Sequence, residues 1–449
     1  MEIPVFALIP FVVMLLCIAI GPLVAEHWWE NNRNKLIVSL VLGVPTAIWL
    51  CLNGMASDLE HQLLFDYIPF IILLGSLFVV TGGIRIAGNI AAKPIVNTTF
   101  LGIGYLLASI MGTTGAAMLL IRPLIETNKE RKNKVHTILF FIAAVANCGG
   151  LLTPLGDPPL FLLYLKGAPF TWFMGMVPEW AFAGALLLVI YFLVDSYLYK
   201  KEEPKAICID EKQQTKITIT GNINFLYLAA IVCAVAFINP GTIPAMGDHH
   251  APLYMKFLRE IVLVVIILAS WFTTKQQIRK DNNYSWGPIL EVAALFLGIF
   301  ATMTPALLFL KANASSLGIT ESWQFVYATG ALSSFLDNAP TALAFHSVAL
   351  GLVDGTATGL VAGIPEILLK AISMGAVFFG AMTYIGNGPN FMVKAIAEEN
   401  KIEMPSFFGY MIKFSLIVLL PIYILTQLIF LEYERTKHSN SHLSYRWSL

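Results

Sequence analysis

Two carboxylates fall in long apolar runs. Asp157 lies in Asn147-Cys148-Gly149-Gly150-Leu151-Leu152-Thr153-Pro154-Leu155-Gly156-Asp157-Pro158-Pro159, and Asp337 in Ser333-Ser334-Phe335-Leu336-Asp337-Asn338-Ala339-Pro340-Thr341. An ionisable group at membrane depth is costly and marks an ion or substrate path. Oxygens and amides accompany both: Thr113, Thr114, Asn147, Thr153, Ser333, Ser334, Asn338, Thr341, Thr383, Asn387 and Asn390. Hard cations such as sodium take oxygen ligands from carboxylates, carbonyls and hydroxyls. A carboxylate so placed holds a proton or a cation but not both, the minimum that ion exchange requires. The expected transient sodium ligands are Asp157, Asp337, Asn338 and Asn387, with Asp157 and Asp337 coupling protons. The plainer alternative for either aspartate is an N-cap on a half-helix. Half-helix N-termini could equally hold an anionic carboxylate. Two acidic groups with no Arg or Lys beside either stretch favour a cation.

Composition sets the environment. Of 449 residues, 57% are hydrophobic and 12% charged, with mean hydropathy +0.73. A soluble domain carries about 25% charged residues, so soluble enzymes and nucleic-acid binders are excluded. The formal net charge is zero, leaving no basic tail for nucleic acid or anionic lipid. The cysteines Cys17, Cys51, Cys148, Cys208 and Cys233 show no metal or disulfide spacing. The start, Met1-Glu2-Ile3-Pro4, lacks a basic n-region and reads as a retained helix. Two intramembrane aspartates could also form a protease dyad sharing a proton. Asp157, however, follows Pro154-Leu155-Gly156 and not the Gly-x-Gly-Asp context such a dyad needs. No enzyme activity, organic cofactor or structural metal is expected.

The elements that position these residues follow from the apolar runs. They fall at about 4–25, 35–54, 65–84, 99–124, 137–166 and 172–198, then at about 223–239, 255–274, 288–310, 323–350, 366–397 and 406–431. Most are long enough to cross a bilayer. An offset of 230 puts Gly150 on Gly380, Thr153 on Thr383, Gly156 on Gly386, Pro159 on Pro389 and Phe161 on Phe391, with Asn387 opposite Asp157. Glycines and prolines so placed break a helix, which is tolerated only inside protein or beside a polar cavity. The runs at 99–124 and 323–350 have polar, helix-breaking centres with about 12 apolar residues per side, too few to span. Re-entrant hairpins are the better reading than kinked single helices.

The expected fold class is an all-α polytopic membrane protein, an inverted-repeat transporter with about ten spanning helices, two of them broken, plus two re-entrant hairpins. Residues 1–198 form the first repeat (hairpin 99–124, broken helix 137–166) and 199–222 a cytoplasmic linker. Residues 223–431 form the second repeat (hairpin 323–350, broken helix 366–397), and 432–449 a polar tail. Basic loops with Lys129, Arg131, Lys132 and Lys134, and with Lys275, Arg279 and Lys280, should be cytoplasmic. Loops with Asp58, Glu60 and Asp248 should face outward. Lys166, Lys311, Lys394 and Lys413 read as snorkelling from run ends. Glu291, Glu179 and Asp195 read as interfacial, His346 as packing, and His249-His250 as outer loop. Asp337 is placed where the first half has Thr113.

The stretch Asn147-x-Gly149-Gly150-x-x-Thr153-x-Leu155-Gly156-Asp157-Pro158-Pro159 resembles the N-x-G-G-x-x-T-x-[IL]-G-D-P-P-N segment of the arsenite-permease and P-protein branch of the ion transporter superfamily. It departs from that pattern at Leu160. Residues 333–341 resemble the S-x-x-x-D-N-x-P segment of that branch and of NhaD-type sodium/proton antiporters. The twelve-run layout extends the resemblance over nearly the whole chain, nearest to bacterial proteins assigned to sodium/proton antiport or to citrate transport. It implies inverted repeats, a site at the hairpin tips, a homodimer, and elevator-like movement in a bacterial cytoplasmic (inner) membrane. In the dicarboxylate branch each tip carries Ser-Asn-Thr. Here the tips read Gly112-Thr113-Thr114 and Asp337-Asn338-Ala339, and an acidic tip would repel a dicarboxylate. The expected function is therefore sodium/proton antiport. Cation- or proton-coupled citrate or dicarboxylate transport is the alternative, and arsenite-type small-ion export a minor one. The expected partners are the transported Na+ and H+, the lipid bilayer and a second copy of the chain, with no nucleic acid.

Overall fold

In hydrocarbon a chain can satisfy its backbone N–H and C=O groups only within itself, and helices do so locally. The computed structural model, which describes residues 3–248, 250–353 and 359–432, is accordingly all-α and polytopic. His249 and the tail from 433 onward lie outside those residues. Eight described helices are long and apolar enough to cross a membrane: Val5–Pro22, Asn32–Leu52, Ala56–Thr81, Pro94–Met111, Val135–Leu152, Val177–Tyr199, Gly287–Ala312 and Phe407–Leu431. Ile223–Phe237 and Leu258–Thr273 are shorter, at 15 and 16 residues.

The outer helices pair reciprocally. Gly287–Ala312 lies along Asn32–Leu52, and Ile68–Thr81 lies along Leu258–Thr273. The third helix of each run of six thus packs on the second helix of the other. Small residues allow the close approach: a Cβ on Gly298 would come 2.7 Å from the Cβ of Ser39. With Ile9–Val24 and Ile223–Phe237, these helices form one group, called the scaffold below.

The hairpins and broken helices form the other group. The arm Pro94–Met111 ends at Gly112, whose φ of +80° favours glycine, and the chain returns as Thr113–Thr127. Ser322–Ser333 and Asn338–Leu352 are the arms of the second hairpin. The first broken helix has halves Val135–Ala144 and Pro158–Leu165, the second Glu366–Phe379 and Gly388–Glu399. The breaks share one backbone shape. Each opens with a 3-10 turn. Thr153 (φ −144°, ψ 158°) and Thr383 (φ −141°, ψ 169°) then extend. Asp157 (φ −145°, ψ 144°) and Asn387 (φ −151°, ψ 141°) extend again before the next helix.

The linker carries more structure than a polar stretch suggests. It holds the helix Pro204–Lys212 and a strand, Thr215–Thr220, paired antiparallel with Arg85–Asn89 so that Ile219 lies opposite Ile86. Phe182, near the start of Val177–Tyr199, packs 5.7 Å from Phe430. The end of the last described helix is therefore on the face opposite the linker.

Several charged residues are paired within the protein. Asp195 is fully buried: it meets Arg131 at 2.6 Å and His136 at 2.8 Å, and Arg131 also donates to the carbonyl of Ala92. This cluster ties the base of the first hairpin to Val177–Tyr199. Asp195→Asn should lower stability by about 2 kcal/mol, because buried Arg131 loses its nearer carboxylate and is left with Glu202 at 3.8 Å; thermal melting in detergent measures it. Glu179 is likewise buried, 3.8 Å from Lys370. Glu291 pairs with Lys35 at 2.7 Å within the scaffold. Lys166 and Lys394 are ion-paired, with Asp66 and Glu398, rather than simply snorkelling.

Candidate functional site

Asp157 has the extended backbone of an N-cap, yet its side chain makes no cap bond. Its carboxylate turns inward and is 1% exposed. Oδ1 accepts from Thr113 Oγ1 at 2.8 Å and from Asn387 Nδ2 at 3.0 Å, and Oδ2 accepts from Asn338 Nδ2 at 2.6 Å. One carboxylate therefore joins both hairpin tips and both breaks, and each of its side-chain partners is neutral. Thr113 also donates its backbone N–H to the carbonyl of Gly156 at 2.8 Å. Asn338 is 1% exposed, and its Oδ1 is buried with no hydrogen-bond partner among the described residues. A buried acceptor without a donor is costly, and here it sits on the amide that holds Asp157.

Asp337 behaves as the capping alternative describes. Its Oδ1 accepts from the Ala339 N–H at 3.0 Å, its carbonyl accepts from Thr341 Oγ1 at 2.9 Å, and it is half-buried. The two aspartates are thus not equivalent.

Asn147, Asn387 and Asn390 link the breaks. Asn147 Nδ2 donates to the carbonyl of Ile142 at 2.8 Å and to Asn390 Oδ1 at 2.7 Å, while Asn387 Nδ2 reaches Asn147 Oδ1 at 3.1 Å. Asn390 Nδ2 donates to the carbonyls of Gly380 and Thr383 at 2.8 and 2.9 Å. Asn390 therefore braces the second break and has no atom turned to an ion. Asn390→Ala should cost about 2 kcal/mol, since three buried groups lose a partner. A melting curve would register that loss, and a ligand role without a structural one would leave the melt unmoved.

The remaining polar residues fasten hairpins to breaks. Thr153 Oγ1 donates to the Ser109 carbonyl at 2.5 Å, and Thr383 Oγ1 donates to the Ser334 carbonyl. Ser109 Oγ donates to the Gly149 carbonyl at 2.5 Å, and Ser334 Oγ to that of Phe379 at 3.3 Å. Ser333 Oγ donates to the Ala376 carbonyl at 2.7 Å. The Thr153 and Thr383 bonds, and the Ser109 and Ser334 bonds, superimpose when the breaks are offset by 230 and the hairpins by 225; Ser333 falls on Ala108, which has no hydroxyl. The offset of 225 overturns the placing of Asp337 opposite Thr113. Thr113 matches Asn338, and Asp337 matches Gly112, which has no side chain. Two equivalent positions thus hold the two oxygens of the one carboxylate. Ser109 escaped the sequence reading. The second offset would have found it, since it also puts Leu107 on Leu332 and Ala117 on Ala342.

Of the expected ligands, Thr113, Asp157, Asn338 and Asn387 come together. Thr114 is half-buried in a cleft of about 80 Å³, next to Gly112 and Gly156. Leu77, Phe78, Ile289 and Val292 of the scaffold close its other side. His346 Nε2 lies 2.8 Å from the Ala362 carbonyl, away from Asp157. Chemically, the set is a carboxylate under two amides, of which Asn338 is free to rotate. Asn338 and Asn387 donate N–H to a bare carboxylate; Asn338, turned over, offers an oxygen to a cation bound there, whereas Asn387 is held by the Ala146 carbonyl and Asn147 Oδ1.

Residues 1–431 match the family described as "Putative citrate transport". An uncharacterized transporter of Methanocaldococcus jannaschii is 24% identical over 301 residues. That match covers 64% of this chain and 64% of the relative's length.

Proposed function

We propose, from the premise that the chain belongs to this citrate-transport family, that it is a secondary active transporter exchanging sodium for protons at Asp157 in a bacterial cytoplasmic membrane. The observation that supports the reading is the Asp157 carboxylate held only by neutral donors, beside the unpartnered Asn338 Oδ1. Sodium at this carboxylate displaces donors and turns the Asn338 amide, giving its buried oxygen a partner. A proton at the same place removes the charge that held the sodium. The two ions thereby exclude each other at one group. The sequence halves 1–198 and 223–431 act as inverted repeats, and the hairpins and broken helices move together against the scaffold as an elevator, in a homodimer.

A second reading is cation-coupled transport of citrate, and the family match favours it. A citrate anion would need its charge offset by cations, because Asp157 and Asp337 are both acidic. One assay separates the readings. The purified protein is placed in liposomes with a preset pH gradient and an internal pH dye, and sodium, lithium, potassium or citrate is added in turn. Sodium-dependent collapse of the gradient that disappears in Asp157→Asn supports exchange. No response to any cation, with labelled citrate accumulating, transfers the assignment to the second reading.

A further inference from the structure

The half-helix Pro158–Leu165 starts at the site and ends at the scaffold. Asp157 precedes its first residue and Lys166 follows its last. Eight residues at 1.5 Å each make a rod about 12 Å long, so any displacement of Asp157 is carried to Lys166. This rod packs against the second hairpin, in the helix Asn338–Leu352. At its far end Lys166 Nζ lies 2.5 Å from Asp66 Oδ2. Asp66 is 1% exposed and sits in the π-helical turn Gln62–Tyr67, at the start of a scaffold helix. Turns of that kind recur at functional sites. His61 Nδ1, 3.8 Å away, is the other basic group in ion-pair range of Asp66 among the described residues. Two residues back along the rod, Tyr164 donates its hydroxyl to the carbonyl of Val235 at 2.8 Å and accepts from Arg259 Nη1 at 3.1 Å. Val235 and Arg259 belong to the scaffold helices Ile223–Phe237 and Leu258–Thr273.

We infer that Asp66–Lys166, with Tyr164–Arg259 beside it, is a latch that holds the Asp157 half-helix in the conformation described and opens once in each transport cycle. The inference rests on the movement put forward above. Breaking a buried pair by removing one partner is strongly unfavourable, because the other charge is left uncompensated. Simple sliding of the rod would therefore strand Asp66. A cleft of about 800 Å³ adjoins the latch, lined by His61, Phe65, Tyr164, Arg259 and Glu260. Asp66 and Lys166 do not line it, but their chain neighbours Phe65, Leu165 and Gly167 do, which puts the cleft next to both charges as they part. The latch is thus strong when closed yet has a solvated route open.

The test uses the full chain with Cys17, Cys51, Cys208 and Cys233 changed to Ser. Asp66→Cys with Lys166→Cys is oxidised to lock the latch, and Asp66→Asn with Lys166→Gln releases it without stranding a charge. Thr114→Cys, in the cleft beside the first hairpin tip, reports conformation through its rate of maleimide labelling. That readout needs no transported ion, so failure of the exchange reading leaves it intact. The released protein should label about tenfold more slowly than the locked one, within the usual range of conformational coupling. The locked protein should lose transport about tenfold or more and regain it on reduction, and Asp66→Lys with Lys166→Asp should restore what either single change removes. Equal labelling of locked and released protein, or full transport by the locked form, would overturn the latch.

Discussion

Asp157→Asn is expected to stop ion-coupled transport, by about a hundredfold or more, while the protein stays folded. The substitution keeps shape and removes charge. A charged ligand group is worth about 3 kcal/mol, which converts to roughly that factor. Folding survives because the surroundings can adjust. An amide at 157 brings an N–H towards Asn338 Nδ2, and turning Asn338 over presents its buried, unpartnered Oδ1 instead. Asp337→Asn gives the contrast. Asparagine is as good an N-cap as aspartate, so the bond from the Ala339 N–H persists and the loss should be about tenfold or less. Sodium-driven pH changes in liposomes, recorded for both variants at matched protein content, check the ordering. Equal and complete loss in both would move Asp337 from a cap into the ion site.

The gap between the two aspartates marks where the sequence stops being legible. Glycines, prolines and a carboxylate inside apolar runs point to broken helices, and here the helices stop at Ala144 and Phe379 and resume at Pro158 and Gly388. The hairpin turns were legible for the same reason: Gly112 and the polar residues 333–341 interrupt arms too short to span. Which aspartate caps and which faces the site was not legible, because both occur in the same local pattern. The difference arises from partners 44, 181 and 230 residues from Asp157. The Asp66–Lys166 pair, 100 residues apart, was hidden likewise, and a lysine at the end of an apolar run looks like one reaching for water. The offset of 225 in the hairpins was masked because the louder match in the breaks runs at 230. The strand Thr215–Thr220 shows period-two alternation of Lys216, Thr218 and Thr220 with Ile217 and Ile219, but neighbouring charges drew the whole segment into a linker.

The backbone of the breaks makes the other large prediction, and it tests the likeness of the two halves. A Cβ on Gly156 would fall 1.9 Å from the Gly150 carbonyl oxygen, and one on Gly386 would fall 2.6 Å from the carbonyls of Gly380 and Ser333. Both obstacles are backbone, so no side chain can swing aside. Gly156 also supplies the carbonyl that holds the Thr113 N–H, so relief of the clash would pull the first hairpin tip from Asp157. Gly156→Ala should therefore cost about 3 kcal/mol or more by overpacking, a large share of a margin of about 5–15 kcal/mol. Gly386→Ala should act in the same direction by a smaller amount, since its contacts are longer. Gly388→Ala is the control: nothing lies within 4 Å of a Cβ there, although it is two residues from Gly386 and starts the same half-helix. Melting in detergent and the monodisperse fraction in size-exclusion chromatography rank the three. The expected order is Gly156→Ala least stable, Gly386→Ala between, and Gly388→Ala indistinguishable from the unsubstituted protein. A stable, monodisperse Gly156→Ala protein would show that the first break can widen, and the tight joining of both tips at Asp157 would then lose its basis.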